Sequence, residues 1–237
     1  MRGREYLTSL LFLLVFSQIK CENCMKLDIS ITQKVENEGF HRDVRWLLET
    51  TNPNNTDWIQ SGCKLAVHIN VNAGMFVSKD QLAELNRNST ILIRVDGNVN
   101  IETAAHDSTA HIAYIYLPQD EIERIMFSLP IHLRYQRAQI TGKYGKVYLD
   151  KPTVLVRCPA DINLCGKRRP ILEAPCSFAS VNKCQWRNTT YQALFQDVEM
   201  FVPIGDLDDY PLVSIVSLLL GCAGCIYVLS ILSTTPI

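Results

Sequence analysis

Residues 212–232 read LVSIVSLLLGCAGCIYVLSIL, twenty-one positions without an Asp, Glu, Lys, Arg, Asn, Gln or His. At about 1.5 Å per residue this stretch makes about 31 Å of helix, the thickness of a bilayer's hydrocarbon core. Pro211 starts it, and 233–237 remain as a short cytoplasmic tail. The expected architecture is one C-terminal transmembrane helix, with nearly all of the chain on the other side of the membrane.

The other end indicates which side that is. Arg2 and Arg4 form a basic leader, Leu7 to Phe16 an apolar stretch too short to compete as a span, and Val15 with Ser17 the small-residue pattern of a cleavage site. A signal peptide over 1–17 is expected, with cleavage as late as Lys20 also compatible. Residues 18–211 then form the luminal body. The tail carries no Lys or Arg with which to test the orientation.

The formal net charge of the 237 residues is -1, which suggests neither a nucleic-acid partner nor a polybasic membrane patch. The body is long enough to bury a sizeable core. Sequons at Asn54, Asn88 and Asn188 fit a glycosylated luminal protein.

Of nine cysteines, Cys21, Cys24, Cys63, Cys158, Cys165, Cys176 and Cys184 fall in the body, where an oxidising lumen favours disulfides. The cluster Cys158, Cys165, Cys176, Cys184 is expected to carry two bridges closing short loops, in any of three pairings. An odd total leaves one thiol free or bridged to another chain. Cys21 and Cys24 have the spacing of a redox centre or half a zinc site, but neither a preceding strand nor a second metal-spaced pair accompanies them. Cys222 and Cys225, beside Gly221 and Gly224, form a small-residue helix face able to approach another transmembrane helix, or else simply face lipid.

Within the body the dominant signal is the short strand. Leu65, Val67, Ile69 and Val71 alternate with polar neighbours, as do Leu27, Ile29 and Ile31. Arg42–Glu49, Ile91–Val95, Leu129–Arg137, Lys146–Leu149, Thr153–Arg157 and Ala193–Val202 read as further strands. His111–Leu117 is apolar on both faces and should be central. Ser78 and Gln81 have capping-box spacing for a short helix packed by Leu82 and Leu85. Asp96-Gly97 signals a turn before Val99 and Ile101, and Ile122–Phe127 reads as one or two helical turns. About eight to ten strands point to an antiparallel β-sandwich-like luminal domain, mainly β, with the Cys-rich 158–190 as a candidate separate subregion.

No constellation of catalytic chemistry emerges. His41 with Asp43, and His106 with Asp107 and Ser108, are sequence neighbours rather than a convergent triad. Phosphate-loop, nucleophile-elbow and zinc-protease motifs are absent. Asp206-Leu207-Asp208-Asp209 resembles the paired carboxylates that hold a divalent ion and sugar phosphate in many glycosyltransferases. An acidic stalk is the favoured reading, because one helix cannot build a multi-span catalytic bundle. No catalytic, cofactor or metal residue is assigned.

Gly39-Phe40-His41-Arg42, Leu129-Pro130-Ile131-His132-Leu133-Arg134-Tyr135-Gln136, Lys151-Pro152-Thr153-Val154 with Cys158-Pro159, and Val202-Pro203-Ile204-Gly205 before a single span resemble, in order, the PIG-X family. That family is the small accessory subunit of glycosylphosphatidylinositol (GPI) mannosyltransferase I. The resemblance implies a single-pass type I protein of the endoplasmic reticulum membrane. It also implies a non-catalytic role: binding and stabilising PIG-M, the multi-span subunit that adds the first mannose from dolichol-phosphate-mannose. Such a subunit needs a contact surface, which His132, Arg134 and Tyr135 are expected to order or form, with His41 and Arg42 as further candidates. The alternative is that Ile131, Leu133 and Tyr135 are core while His132 and Arg134 are solvated. A single-pass cell-surface adhesion or receptor-like glycoprotein would share the architecture but usually carries a longer tail. A GPI-anchored protein would need small residues where Leu207 stands.

Overall fold

The computed structural model describes residues 24–234 except 26, 51–57, 59, 120, 121, 161, 163 and 166–169. The expected signal peptide 1–17, Cys21, Asn54 and residues 235–237 lie outside the described residues. The alternation at Leu65, Val67, Ile69 and Val71 becomes β3 (Lys64–Val71), whose four apolar side chains enter the main core. β6 (His111–Leu117) pairs with it on one side and β9 (Thr153–Arg157) on the other, so β6 lies between β3 and the edge strand β5 (Leu92–Asp96). A strand flanked on both sides and packed on both faces must be apolar throughout.

Two strands that the sequence reading left inside a separate Cys-rich subregion extend this sheet. β10 (Ile171–Pro175) and β11 (Lys183–Thr189) form a hairpin joined to β9, giving the order β10-β11-β9-β3-β6-β5. Residues 171–189 of the Cys-rich stretch are therefore part of the main body. Trp186 of β11 is buried in a small cluster with Ala66, Tyr114, Leu155 and Ala174 on the outer face of the sheet.

The facing sheet has the order β12-β1-β2-β7-β4, built from β1 (Ile29–Glu36), β2 (His41–Thr50), β4 (Met75–Phe76), β7 (Arg124–Leu133) and β12 (Gln192–Ala193). All its pairs are antiparallel except β1 with β12. Residues 124–127 are strand, not the expected helical turn. Ile125, Phe127 and Leu129 are buried while Met126 is 64% exposed, a period of two imposed by pairing along β2 from His41↔His132 to Glu49↔Arg124. Val99 and Ile101 form no strand either: Gly97 adopts φ +113°, but β5 pairs with β6 and Ile101 remains exposed.

The helix signalled by Ser78 is α1 (Lys79–Arg87), with the Ser78 hydroxyl accepting from the Gln81 N–H. Leu82 is buried as expected, whereas Leu85 is exposed. A third unit, the ribbon of β8 (Tyr144–Leu149) and β13 (Val198–Pro203), packs Val147, Leu149, Met200 and Val202 into the core. From β13 the chain enters α2 (Tyr210–Thr234), a 25-residue apolar helix of membrane-spanning length with no residue buried against the other described residues. The protein is thus mainly β, a sandwich with one C-terminal apolar helix.

Among the described residues, three disulfides cross-link the body. Cys63–Cys158 links neighbouring strands where Lys64↔Arg157 ends the β3–β9 register, and Cys176–Cys184 closes the β10–β11 hairpin. Cys24–Cys165 ties the approach to β1 onto the chain beside Leu164. This corrects the expectation of two bridges inside the 158–184 cluster, because Cys158 and Cys165 each reach a distant partner. It also removes Cys24 from any CxxC dithiol.

Candidate partner-contact surface

β-Sheet register joins two segments far apart in sequence. His41 starts β2 and His132 lies one residue from the end of β7, and the two are directly opposed. Their rings meet edge to face with centroids 4.7 Å apart. Phe76 of β4 stacks on the other side of His132 at 4.9 Å, and His132 Nε2 lies 3.0 Å from Gln81 Oε1 of α1. Burial, then the neighbouring His41, lowers the His132 pKa, against the opposing pull of Asp43. Pro130 fits this strand because amides 133 and 134 point to Phe40 and Gly74 respectively, so even-numbered amides face β4. β4 has ended before Pro130, and the missing N–H costs no ladder bond there.

The hairpin leading into His41 is held by polar side chains. Asn37, at φ +66°, donates from Nδ2 to Asp43 Oδ2 at 2.6 Å, and Arg42 Nη1 donates to the Asn37 carbonyl at 2.6 Å. His41 Nε2 lies 3.6 Å from Asp43 Oδ1. These contacts give His41 and Arg42 fixed positions at the end of the sandwich.

Arg134 departs from the reading of a solvated residue. It is 3% exposed, donates from Nη1 to the carbonyls of Asn100 at 2.7 Å and Thr103 at 2.6 Å, and lies over the Phe76 ring at 4.7 Å. Burial lowers its pKa. It holds the 100–105 segment against the end of β7. Beneath it, His111 is buried and its Nε2 accepts from the Val77 N–H at 3.3 Å. Burial first, then Arg134 and Lys79, push the His111 pKa down to about 4, so the ring is a neutral acceptor at neutral pH. Tyr135 lies between the two readings of this strand. Ile131 and Leu133 are core, but Tyr135 is 72% exposed, with its ring 4.9 Å from that of Phe40.

After Tyr135 the chain runs directly to the root of α2. Gln139 donates from N–H to the Gly205 carbonyl at 3.1 Å, and its own carbonyl accepts from Leu207 at 3.0 Å. Thr141 N–H donates to Asp208 Oδ2 at 3.3 Å, and Asp208 N–H to Asp206 Oδ1 at 3.0 Å, capping a 3₁₀ turn at Leu207–Asp209. A Cβ at Gly142 would stand 2.9 Å from the Gly205 carbonyl oxygen, so this neck closes only around glycine. Asp206 and Asp208 are engaged in the neck, and among the described residues no group of three or more His, Cys, Asp or Glu could hold a metal.

The surface therefore gathers Gly39–Arg42, His132–Gln136 and Val202–Gly205 around the β2–β7 end and the neck, while Lys151–Val154 belongs to the β9 side. Sequence reading missed Phe76, and it noted Gln81 only for the helix cap and Phe40 only within the family segment; Phe76 and Gln81 complete the His132 setting, and Phe40 packs on Tyr135. The contacts of Phe76 and Gln81 come from β4 and α1 folding over β7, which no local pattern marks. His106 lies 3.3 Å from Asp107, both exposed, with no hydrogen bond to Ser108 as nucleophile. Asn88 is the exposed C-cap of α1, and Asn188 is half-buried within β11. Along α2, Gly221 and Gly224 face open space, with Cys222 and Cys225 exposed beside them.

A family model described as PIG-X / PBN1 matches residues 37–233. A Rattus norvegicus protein named "GPI alpha-1,4-mannosyltransferase I, stabilizing subunit" is 29% identical over 198 residues, covering 81% of this chain and 77% of that protein. A Homo sapiens protein of the same name is 28% identical over 198 residues, with 81% and 75% covered.

Proposed function

The chain belongs to the PIG-X / PBN1 family, and from that premise we propose that it is the non-catalytic stabilising subunit of GPI mannosyltransferase I, binding the multi-span catalytic subunit PIG-M. The reading takes residues 1–17, or up to Lys20, as a signal peptide and 18–211 as the luminal body. Residues 212–232 span the endoplasmic reticulum membrane and 233–237 face the cytoplasm. Disulfides are consistent with an oxidising lumen. The observation that carries the reading is the convergence of Gly39–Arg42, His132–Gln136 and Val202–Gly205 at the end of the sandwich joined to α2.

The subunit acts by mass action. A partner that binds the folded catalytic subunit and not its unfolded form stabilises it by about 2.7 kcal/mol at a hundredfold excess over Kd. Tyr135, His41, Arg42 and His132 offer the luminal contact, and Arg134 orders it from beneath. Gly221, Cys222, Gly224 and Cys225 offer a second contact within the membrane, where α2 buries no residue against the other described residues. Asn88 carries a glycan in this reading, which an Asn88→Gln variant tests by its gel mobility. Deletion of the protein, read as surface GPI-protein level and catalytic-subunit amount, tests the assignment. Both should fall, and normal values of both overturn it.

A further inference from the structure

The β8–β13 ribbon has two unlike faces. Its inner face belongs to the core, whereas the outer face carries Tyr144, Tyr148 and Phe201 at 66%, 51% and 51% exposure. Register puts them on one surface: Tyr144 stands opposite Pro203, Lys146 opposite Phe201 and Tyr148 opposite Glu199. Sustained aromatic exposure in a well-packed body needs an occupant.

We propose that this face lies on the lipid headgroup region of the leaflet that α2 enters. The inference rests on the membrane anchoring in the function proposed above. Continuity is the first argument, because β13 ends at Pro203 and α2 begins at Tyr210. That connection is not slack: Gln139 binds Gly205 and Leu207, and Ile204 N–H donates to the Lys143 carbonyl at 3.3 Å. The ribbon cannot swing far from the bilayer when the helix is inserted. Chemistry is the second argument. Tyrosine has an apolar ring and a polar tip and is enriched at membrane–water interfaces, where lysine stems also lie along apolar surface. Exposed Ile140, Leu207 and Tyr210 carry the same character to the start of the span.

Charge narrows the lipid class. Lys146 Nζ is paired with Glu199 Oε2 at 3.0 Å and lies over the Phe201 ring at 5.7 Å, leaving the face neutral. Asp206, Asp208 and Asp209 beside it disfavour anionic lipid. The surface suits zwitterionic headgroups, and its association should be insensitive to salt.

The test uses the full chain in phosphatidylcholine nanodiscs containing lipid spin-labelled near the headgroup. Tryptophan reporters are placed at Phe201→Trp, at Tyr148→Trp as a second ribbon site, at Val181→Trp in the β10–β11 loop, and at Tyr227→Trp within α2. Fluorescence is read against the background of Trp46, Trp58 and Trp186. The expected result is quenching at 201 and 148 at least about twofold stronger than at 181, equal at low and high salt. Quenching at 227 with none at 201 or 148 beyond the level at 181 overturns the ribbon proposal alone. No quenching at 227 overturns the anchoring reading, and the ribbon proposal with it. Protection of residue 201 from an aqueous quencher only on raising the protein concentration, or only on adding the catalytic subunit, would assign the face to a second copy or to that subunit and also overturn the proposal.

Discussion

His41 and His132 stand opposite one another on β2 and β7 with ring centroids 4.7 Å apart, and Phe76 stacks on the far side of His132. Two segments far apart in the sequence are thus one surface in the fold. Beneath it lie Arg134 and His111, whose burial makes the surface sensitive to substitution and to pH.

Arg134 and Tyr135 are neighbours with opposite roles. Arg134→Ala removes two hydrogen bonds to backbone carbonyls and a contact with Phe76, and should cost on the order of 2 kcal/mol or more in denaturant unfolding. Tyr135→Ala, at an exposed ring, should change stability by no more than about 0.5 kcal/mol yet weaken co-purification of the catalytic subunit. Equal effects on folding and on co-purification in both variants would reject this division.

The buried histidines give the stability a pH dependence of definite sign. Unfolded, His111 takes a proton near pH 6.5, whereas folded it resists until about 4. Below 6.5 the unfolded state holds more protons, so folding stability is full above that pH and is lost as pH falls towards 4. His132, also lowered, adds a loss of the same sign. The slope from His111 alone is at most about 1.4 kcal/mol per pH unit. Urea midpoints from pH 7 to 5 should fall, and less steeply in His111→Gln; identical slopes would show that this histidine is not the source.

Cys63–Cys158 closes a loop of 95 residues between two core strands, whereas Cys176–Cys184 spans only 8. On the chain-entropy argument, replacing the first pair with serine should cost about 4.7 kcal/mol and the second clearly less. Thermal melts of the two double variants check the order, and a larger loss from the short loop would contradict it.

Gly142 controls the neck. A methyl group there would stand 2.9 Å from the Gly205 carbonyl oxygen and 3.0 Å from that of Gln139, both backbone atoms that cannot rotate away. Gly142→Ala should loosen the link between body and α2, seen as faster amide exchange at Gln139 and Leu207 with little change at β3. Unchanged exchange at both sites would mean that the neck is not held by this approach.

Much of this architecture was legible from local pattern. The 212–232 run, the alternation in β3 and the Ser78 cap each depend on near neighbours alone, and the structure follows them. The misses come from long-range pairing. Residues 124–127 are compatible with helical spacing until β2 imposes a period of two, and β11 has too polar a sequence to read as a strand without the outer-face cluster that receives Trp186. Cys158 and Cys165 lie close to Cys176 and Cys184 in sequence but face Cys63 and Cys24 in the fold. The candidate contact surface was legible only in part: His41, Arg42 and the 129–136 segment stand out, whereas the burial of Arg134 depends on carbonyls from the 100–103 loop.

The most direct test of the central claim, that the protein stabilises a catalytic subunit by binding its folded form, is a pulse–chase half-life of that subunit. Cells lacking this protein are compared before and after complementation with the full chain. The expected result is a short half-life that complementation lengthens severalfold, and that Tyr135→Ala restores only in part. An unchanged half-life, with mannosyl transfer nevertheless lost in the deleted cells, would contradict the stabilising role.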